Sequence, residues 1–169
     1  MTGVRTEDIH HNLGAPGWAK WAWSSFFTPL NVGATASGFN FAVLDGEKYL
    51  TQITTHKIST FCAPPTAWRM FINLGTSKFD FSALLQSIGA GEPLNPEVIN
   101  RWNELTGTEI RDFYGQTEST AMIGNHPWMN GKMRNGSFGQ PSFMYDVALV
   151  DDDGKEITVS DEPGHIVVK

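Results

Sequence analysis

Between residues 45 and 119 the apolar positions change their period several times, and each change marks an element. From Asp45 to Lys57 they fall on one helical face through Leu50 and Ile53, which predicts an amphipathic helix. Ile58 to Cys62 is a short apolar run rich in β-formers and predicts a buried strand. Pro64 and Pro65 end that strand and open a helix through Trp68, Met70, Phe71 and Leu74, with Gly75 at its stop. A second strand is expected near Leu84 to Ile88. Asn95, Pro96 and Glu97 then stand where an N-cap, a first helical residue and a first-turn acid belong. Val98, Ile99, Trp102 and Leu105 give that helix one apolar face, and Gly107 closes it. Glu109 to Phe113 reads as a third strand. Strands alternating with helices in this way predict an α/β fold: a parallel sheet with right-handed crossover helices.

The pattern changes after Gly124. Asn130, Gly131, Asn135, Gly136, Gly139 and Pro141 crowd turn formers into one long loop. Two β runs follow, Asp146 to Val150 and His165 to Val168, with Asp151-Asp152-Asp153-Gly154 reading as a hairpin turn between them. The expected organisation is an α/β unit over residues 1–124 and the start of a small β unit over residues 125–169.

Composition narrows the function. Charged residues make up 18% of the chain, below the roughly 25% of ordinary soluble domains. With six Trp and eleven Phe, that predicts a surface partly covered by something else. The net charge of −6, with no basic run, leaves no cationic patch for nucleic-acid phosphates. No apolar run reaches the roughly 20 residues that span a bilayer, and Met1 to Asn12 lacks the basic and apolar regions of a signal peptide. A single cysteine rules out an internal disulfide and points to a cytoplasmic setting.

In open parallel α/β sheets, ligands bind beyond the carboxyl ends of the strands. Gly89-Ala90-Gly91-Glu92-Pro93 and Tyr114-Gly115-Gln116-Thr117-Glu118 fall at two such ends. Glycines there let the backbone approach a flat or anionic ligand closely. Taken alone, the first segment also fits a plain tight turn, and the second a solvated loop. Cys62, inside an expected buried strand, reads as a core thiol rather than a nucleophile. His10 and His11 are adjacent while His56, His126 and His165 are scattered, a spacing that does not suit a metal-histidine site. Asp151 to Gly154 lacks the spacing of a calcium loop. Trp18, Trp21 and Trp23 read most simply as core residues.

At these motifs the chain resembles the acyl-CoA synthetases of the adenylate-forming superfamily. Tyr114-Gly115-Gln116-Thr117-Glu118 is similar to a signature of acyl- and aryl-CoA synthetases and luciferases, and Gly89-Ala90-Gly91-Glu92-Pro93 to their adenine-side loop. Cys62-Ala63-Pro64-Pro65-Thr66 with Arg69-Met70 resembles the segment that opens the intervening helix. Gly17-Trp18-Ala19-Lys20, followed by Ser24-Ser25 and Pro29, looks like the medium-chain branch. Gly136-Ser137-Phe138-Gly139-Gln140-Pro141 and Tyr145-Asp146-Val147 resemble the glycine-rich loop and strand beyond. The likeness runs in order along nearly the whole chain.

The resemblance implies ATP, Mg²⁺ and coenzyme A as cofactors or co-substrates and a carboxylic acid as substrate. It implies Gly91, Glu92 and Pro93 as the adenine wall and Asp112, Phe113, Tyr114, Gly115, Gln116 and Thr117 as the nucleotide lining. Thr117 would bond the α-phosphate or substrate carboxylate, Glu118 would hold Mg²⁺, Trp18 would line the acyl pocket, and Gly91 would flank the acyl-adenylate. Phe113 replaces the small residue common before this tyrosine, which puts the shape of the nucleotide-facing surface there in question. The family's Ser/Thr/Gly-rich phosphate loop ending in lysine is absent, and the resemblance puts it upstream of Met1. It puts the ribose aspartate, the hinge and the C-terminal domain with its catalytic lysine beyond Lys169. The expectation is a piece of a larger ligase, inactive alone and packed against the rest of its own parent chain. Two other readings stay open: an enzyme that loads a carrier protein, and a non-catalytic α/β binding domain.

Overall fold

The computed structural model describes residues 2–75, 77–129 and 133–169; the expected turn residues Asn130 and Gly131 lie outside them. At its centre, β1 (Ile9–Asn12), β2 (Thr35–Ser37), β3 (Thr60–Ala63), β4 (Gln86–Ala90) and β5 (Ile110–Gln116) run parallel in the order β2-β1-β3-β4-β5. β6 (Thr120–Gly124) and β7 (Gln140–Pro141) extend this to a seven-stranded sheet by antiparallel pairing. A separate ribbon pairs β8 (Val147–Val150) with β9 (His165–Val168). The α/β architecture expected from the alternating pattern is the observed one.

Two foreseen strands start later than their apolar runs. Ile58 and Leu84 are buried, but their N–H groups bond in turns to the carbonyls of Ile53 and Phe81. Burial thus begins before pairing does. The tight turn at Asp151 to Gly154 is present, with Gly154 N–H bonded to the Asp151 carbonyl at 3.0 Å. It returns the chain to a bridge between Val150 and Glu156, so β9 arrives only after a second loop.

The helices α2 (Gly46–Thr55), α3 (Pro65–Asn73) and α4 (Pro96–Thr106) form the main core. Their apolar stripes, through Leu50, Ile53, Trp68, Phe71, Ile99 and Trp102, pack with Phe61 and Ile110 of the sheet. Local chemistry fixes their ends. The Asp45 carboxylate accepts from Lys48 N–H at 3.1 Å, and the Asn95 side-chain oxygen accepts from Glu97 N–H at 2.8 Å. Gly107 closes α4 at φ 76°, a left-handed conformation that suits glycine. Leu105, expected on the buried face, lies at its edge and is only half-buried. Cys62 is free and buried, on the opposite face with Ile88 and Phe113.

The first strand carries no aliphatic signature beyond Ile9. His10, His11 and Asn12 are all buried, and each finds polar partners. His11 Nδ1 donates to the Ser37 carbonyl at 3.1 Å, so its Nε2 is the acceptor for the Tyr49 hydroxyl. His10 bonds Thr60 Oγ1 at 2.7 Å and Ser24 Oγ at 3.1 Å, and Asn12 donates to Ser25 Oγ at 2.9 Å.

Ser24 and Ser25 belong to a π-helix, Trp21–Phe27, that runs into α1 (Thr28–Val32). The Thr28 N–H bonds the Trp23 carbonyl five residues back. Pro29, next in line, has no N–H to donate and would crowd the carbonyl of residue 25 in α-geometry, which favours the wider coil. Because the serines take the sheet side, the aromatic residues turn outward. Trp18 is 74% exposed and Trp23 40%. The expectation that they are core residues is therefore corrected; Trp21 is half-buried.

Candidate nucleotide site

β3, β4 and β5 end at the same edge of the sheet, and the two glycine-bearing segments leave from that edge side by side. Gly89 pairs with Asp112 and Ala90 with Phe113 across β4 and β5. A cavity of about 170 Å³ lies between the loops, lined by Gly91, Glu92, Pro93, Phe113, Tyr114, Gly115 and Phe138. Six of these are residues singled out in the sequence. Phe138 is the addition: its ring lies 5.2 Å from that of Tyr114 at 33°. The glycine-rich run around it was a signal that could have suggested this.

Backbone geometry explains both bare positions. Gly91 has φ 103°, and nothing lies within 4 Å of where a side chain would start, so it opens directly onto free space. Gly115 is the reverse case. Its β5 segment bulges against β6 between Tyr114 and Gly115, and a Cβ there would overlap the Thr120 carbonyl. Thr120 itself sits at φ 60°, a conformation that β-branched residues rarely adopt. The hairpin is held by Gln116 N–H on Ser119 Oγ at 3.2 Å and by the Tyr145 hydroxyl on the Ser119 carbonyl.

Side chains from outside also hold the loop after β4. Lys20 Nζ donates to the Ala90 carbonyl at 3.2 Å, and Arg69 pairs with Glu92 at 3.7 Å. Asp112 is buried beneath the loops rather than open to the cavity. Burial pushes its carboxyl up to about 6, against the pull of hydrogen bonds from the N–H groups of Phe113 and Leu94. Gln116, Thr117 and Glu118 are exposed at the tip of the hairpin and do not line the cavity. Neither does Trp18.

The lining suits one flat ring. Aromatic faces and a proline wall it, two glycines leave backbone exposed, and the volume falls below the roughly 300 Å³ of a whole-ligand pocket. Among the described residues, no cationic side chain lines this cavity. The short Gly75-x-Ser77-Lys78 stretch follows α3 at the other end of the sheet, where Lys78 pairs with Glu47 at 2.7 Å. Glu118 offers one hard oxygen donor, enough for Mg²⁺ only when phosphate oxygens share the coordination.

Residues 9–169 match the family model described as AMP-binding enzyme. The chain belongs to this family. The 4-hydroxybutyrate–CoA ligase 1 of Metallosphaera sedula is 54% identical over 170 residues, covering 100% of this chain and 30% of the relative. A mitochondrial acyl-coenzyme A synthetase of Mus musculus is 37% identical over 92% of the chain and 26% of its own length. Among solved structures, an anthranilate CoA ligase bound to anthranoyl-AMP superposes with TM-score 0.90 at 30% identity, covering 99% of this chain and 32% of that one. The chain thus spans a third or less of the length of each of these three proteins. Among the described residues, no helix is long and apolar enough to cross a membrane.

Proposed function

We propose that these residues are the adenine-binding part of a longer AMP-forming acyl-CoA ligase. That enzyme activates a short- or medium-chain fatty acid, or a compact aryl acid, with ATP and passes the acyl group to coenzyme A. The observation that carries this reading is the ring-sized cavity between the two loops, open at Gly91 and walled by Pro93, Tyr114 and Phe138. The relative that is 54% identical is named for a four-carbon hydroxy acid, which favours a small substrate. Residues 1–124 carry the nucleotide loops, and residues 125–169 open a β unit. The lone buried thiol at Cys62 is in keeping with a cytoplasmic setting.

In this reading a substrate carboxylate oxygen bonds to the α-phosphorus of ATP as the bond to pyrophosphate breaks. The coenzyme A sulfur then bonds to the carbonyl carbon, and AMP leaves. The chain contributes position more than charge. Gly91, Glu92 and Pro93 seat the adenine, with Phe113, Tyr114 and Gly115 opposite. Gln116 and Thr117 lie along the path of the phosphates, and the Thr117 hydroxyl donates to the α-phosphate or the carboxylate. Glu118 would hold Mg²⁺, which offsets phosphate charge when bound. Trp18 borders the acyl side. Its exposed indole and the outward faces of Trp23, Phe26, Phe27 and Leu30 form an apolar band that the rest of the protein would cover.

The reading is tested by expressing the longer protein and following ATP–pyrophosphate exchange and thioester formation with straight-chain and aryl acids. Acid-dependent exchange followed by coenzyme A-dependent release of AMP is expected. Exchange without thioester, relieved by a carrier protein, would favour the carrier-loading alternative. No exchange with any acid would overturn both.

A further inference from the structure

We propose that Asp112 is a positioning residue that fastens the two nucleotide loops to each other from beneath, without itself touching the ligand. The proposal rests on the nucleotide-site reading above and deepens it. Asp112 is 3% exposed, so its carboxylate is shut off from any molecule in the cavity. Its Oδ1 accepts from Phe113 N–H at 3.0 Å, and the Leu94 N–H favours the charged form of the same carboxylate. Phe113 leads into the second loop, and Leu94 is where the first one ends. One side chain therefore ties the exit of one loop to the entrance of the other.

The strand opposite is cut to fit. Gly89 faces Asp112 across β4 and β5, and its φ is not in the left-handed region, so backbone conformation does not demand glycine. Space does. A Cβ at Gly89 would lie 3.1 Å from Leu94 Cδ2, 3.2 Å from Ile110 Cγ2 and 3.6 Å from Asp112 Oδ1. Leu94 and Ile110 are the tight neighbours and would have to give by a few tenths of an ångström, with the Asp112 carboxylate in ordinary contact beside them. Burial makes the charged carboxyl unfavourable here, yet two backbone donors converge on it. A carboxylate can accept both at once, whereas an asparagine accepts on one atom only.

The experiment compares wild type, Asp112→Ala, Asp112→Asn and Gly89→Ala in the longer protein, below the melting point of every variant. KM for ATP, kcat and the preference for ATP over GTP are measured in acid-dependent exchange. Asp112→Ala should raise KM for ATP about tenfold and weaken the ATP preference, with a smaller change in kcat. Asp112→Asn should recover most of that loss, since it keeps one acceptor. Gly89→Ala should displace Leu94 and shift KM in the same direction with the carboxylate intact, and it decides the matter if Asp112→Ala does not fold. A fall in kcat as large as the rise in KM in both Asp112 variants would mean that the carboxylate acts on the reacting groups directly, and would overturn the proposal. Variants that melt earlier but keep the wild-type KM and ATP preference would overturn it as well. A wild type without acid-dependent exchange removes the underlying site reading, a result distinct from either pattern.

Discussion

Lys20 Nζ reaches across from the start of the π-helix to the carbonyl of Ala90, 3.2 Å away where β4 gives way to the Gly91–Pro93 loop. This single bond joins the segment proposed to border the acyl group to the segment proposed to seat the base. A partly exposed ammonium-to-carbonyl bond contributes on the order of 1 kcal/mol, or about fivefold in affinity. Lys20→Met in the longer enzyme should therefore raise KM for both the acid and ATP up to about fivefold, with little change in Tm. A change confined to one substrate would show that the bond does not link the two sides.

Gly115 should tolerate nothing larger. Its position against the Thr120 carbonyl leaves no room for a methyl group. Overpacking of this kind costs about 1–3 kcal/mol, which for a chain of this size lowers Tm by roughly 3–10 °C. Gly115→Ala should lose that much by thermal melting and should weaken nucleotide binding with it. An unchanged Tm would mean that the β5–β6 bulge relaxes freely.

Two buried histidines set the acid limit of the fold. Burial lowers both His10 and His11 from the ordinary value to about 4, opposed by hydrogen bonds to Ser24 and Ser37. A depressed histidine pKa gives stability that is present above the unfolded value near 6.5 and is lost as pH falls toward 4. Asp112 works in the opposite sense. Raised to about 6 by burial, it favours the fold below its ordinary value of 3.8 and loses that contribution as pH rises through 6. Two histidines against one carboxyl give a Tm that falls between pH 6.5 and 4. His10→Gln, which can still bond Thr60 and Ser24, should flatten this slope; a slope identical to wild type would clear His10 of the effect.

Glu118 is exposed at the hairpin tip, so replacing it should leave the fold alone. If it holds Mg²⁺ at the phosphates, Glu118→Gln should lower kcat by roughly 10²–10³ at unchanged Tm. A variant within about threefold of wild type at saturating Mg²⁺ would put Glu118 outside the site.

Much of this was legible in the chain because local rules and tertiary demands agree there. Asn95, Pro96 and Gly107 bound their helix in the sequence and in the structure alike. The loops at Gly89 and Tyr114 could be located because each follows a short strand pattern, Leu84 to Ile88 and Glu109 to Phe113, on either side of a well-capped helix. β1 was not legible, since its interior residues are His10, His11 and Asn12, polar side chains buried by means of partners far along the chain. The outward turn of Trp23 was hidden for a related reason. It depends on Ser24 and Ser25 claiming the sheet face, which no periodicity announces. Phe138 joins the cavity through a loop whose route is set by the fold, although its glycines were visible.

The most direct test is where an adenine ring sits in a crystal structure of the longer protein with a non-hydrolysable acyl-adenylate analogue. The account predicts the ring between residues 91–93 and the Tyr114–Phe138 pair, with the Asp112 carboxylate out of contact beneath it. A ring bound anywhere else, with this cavity empty or filled by side chains, would contradict it.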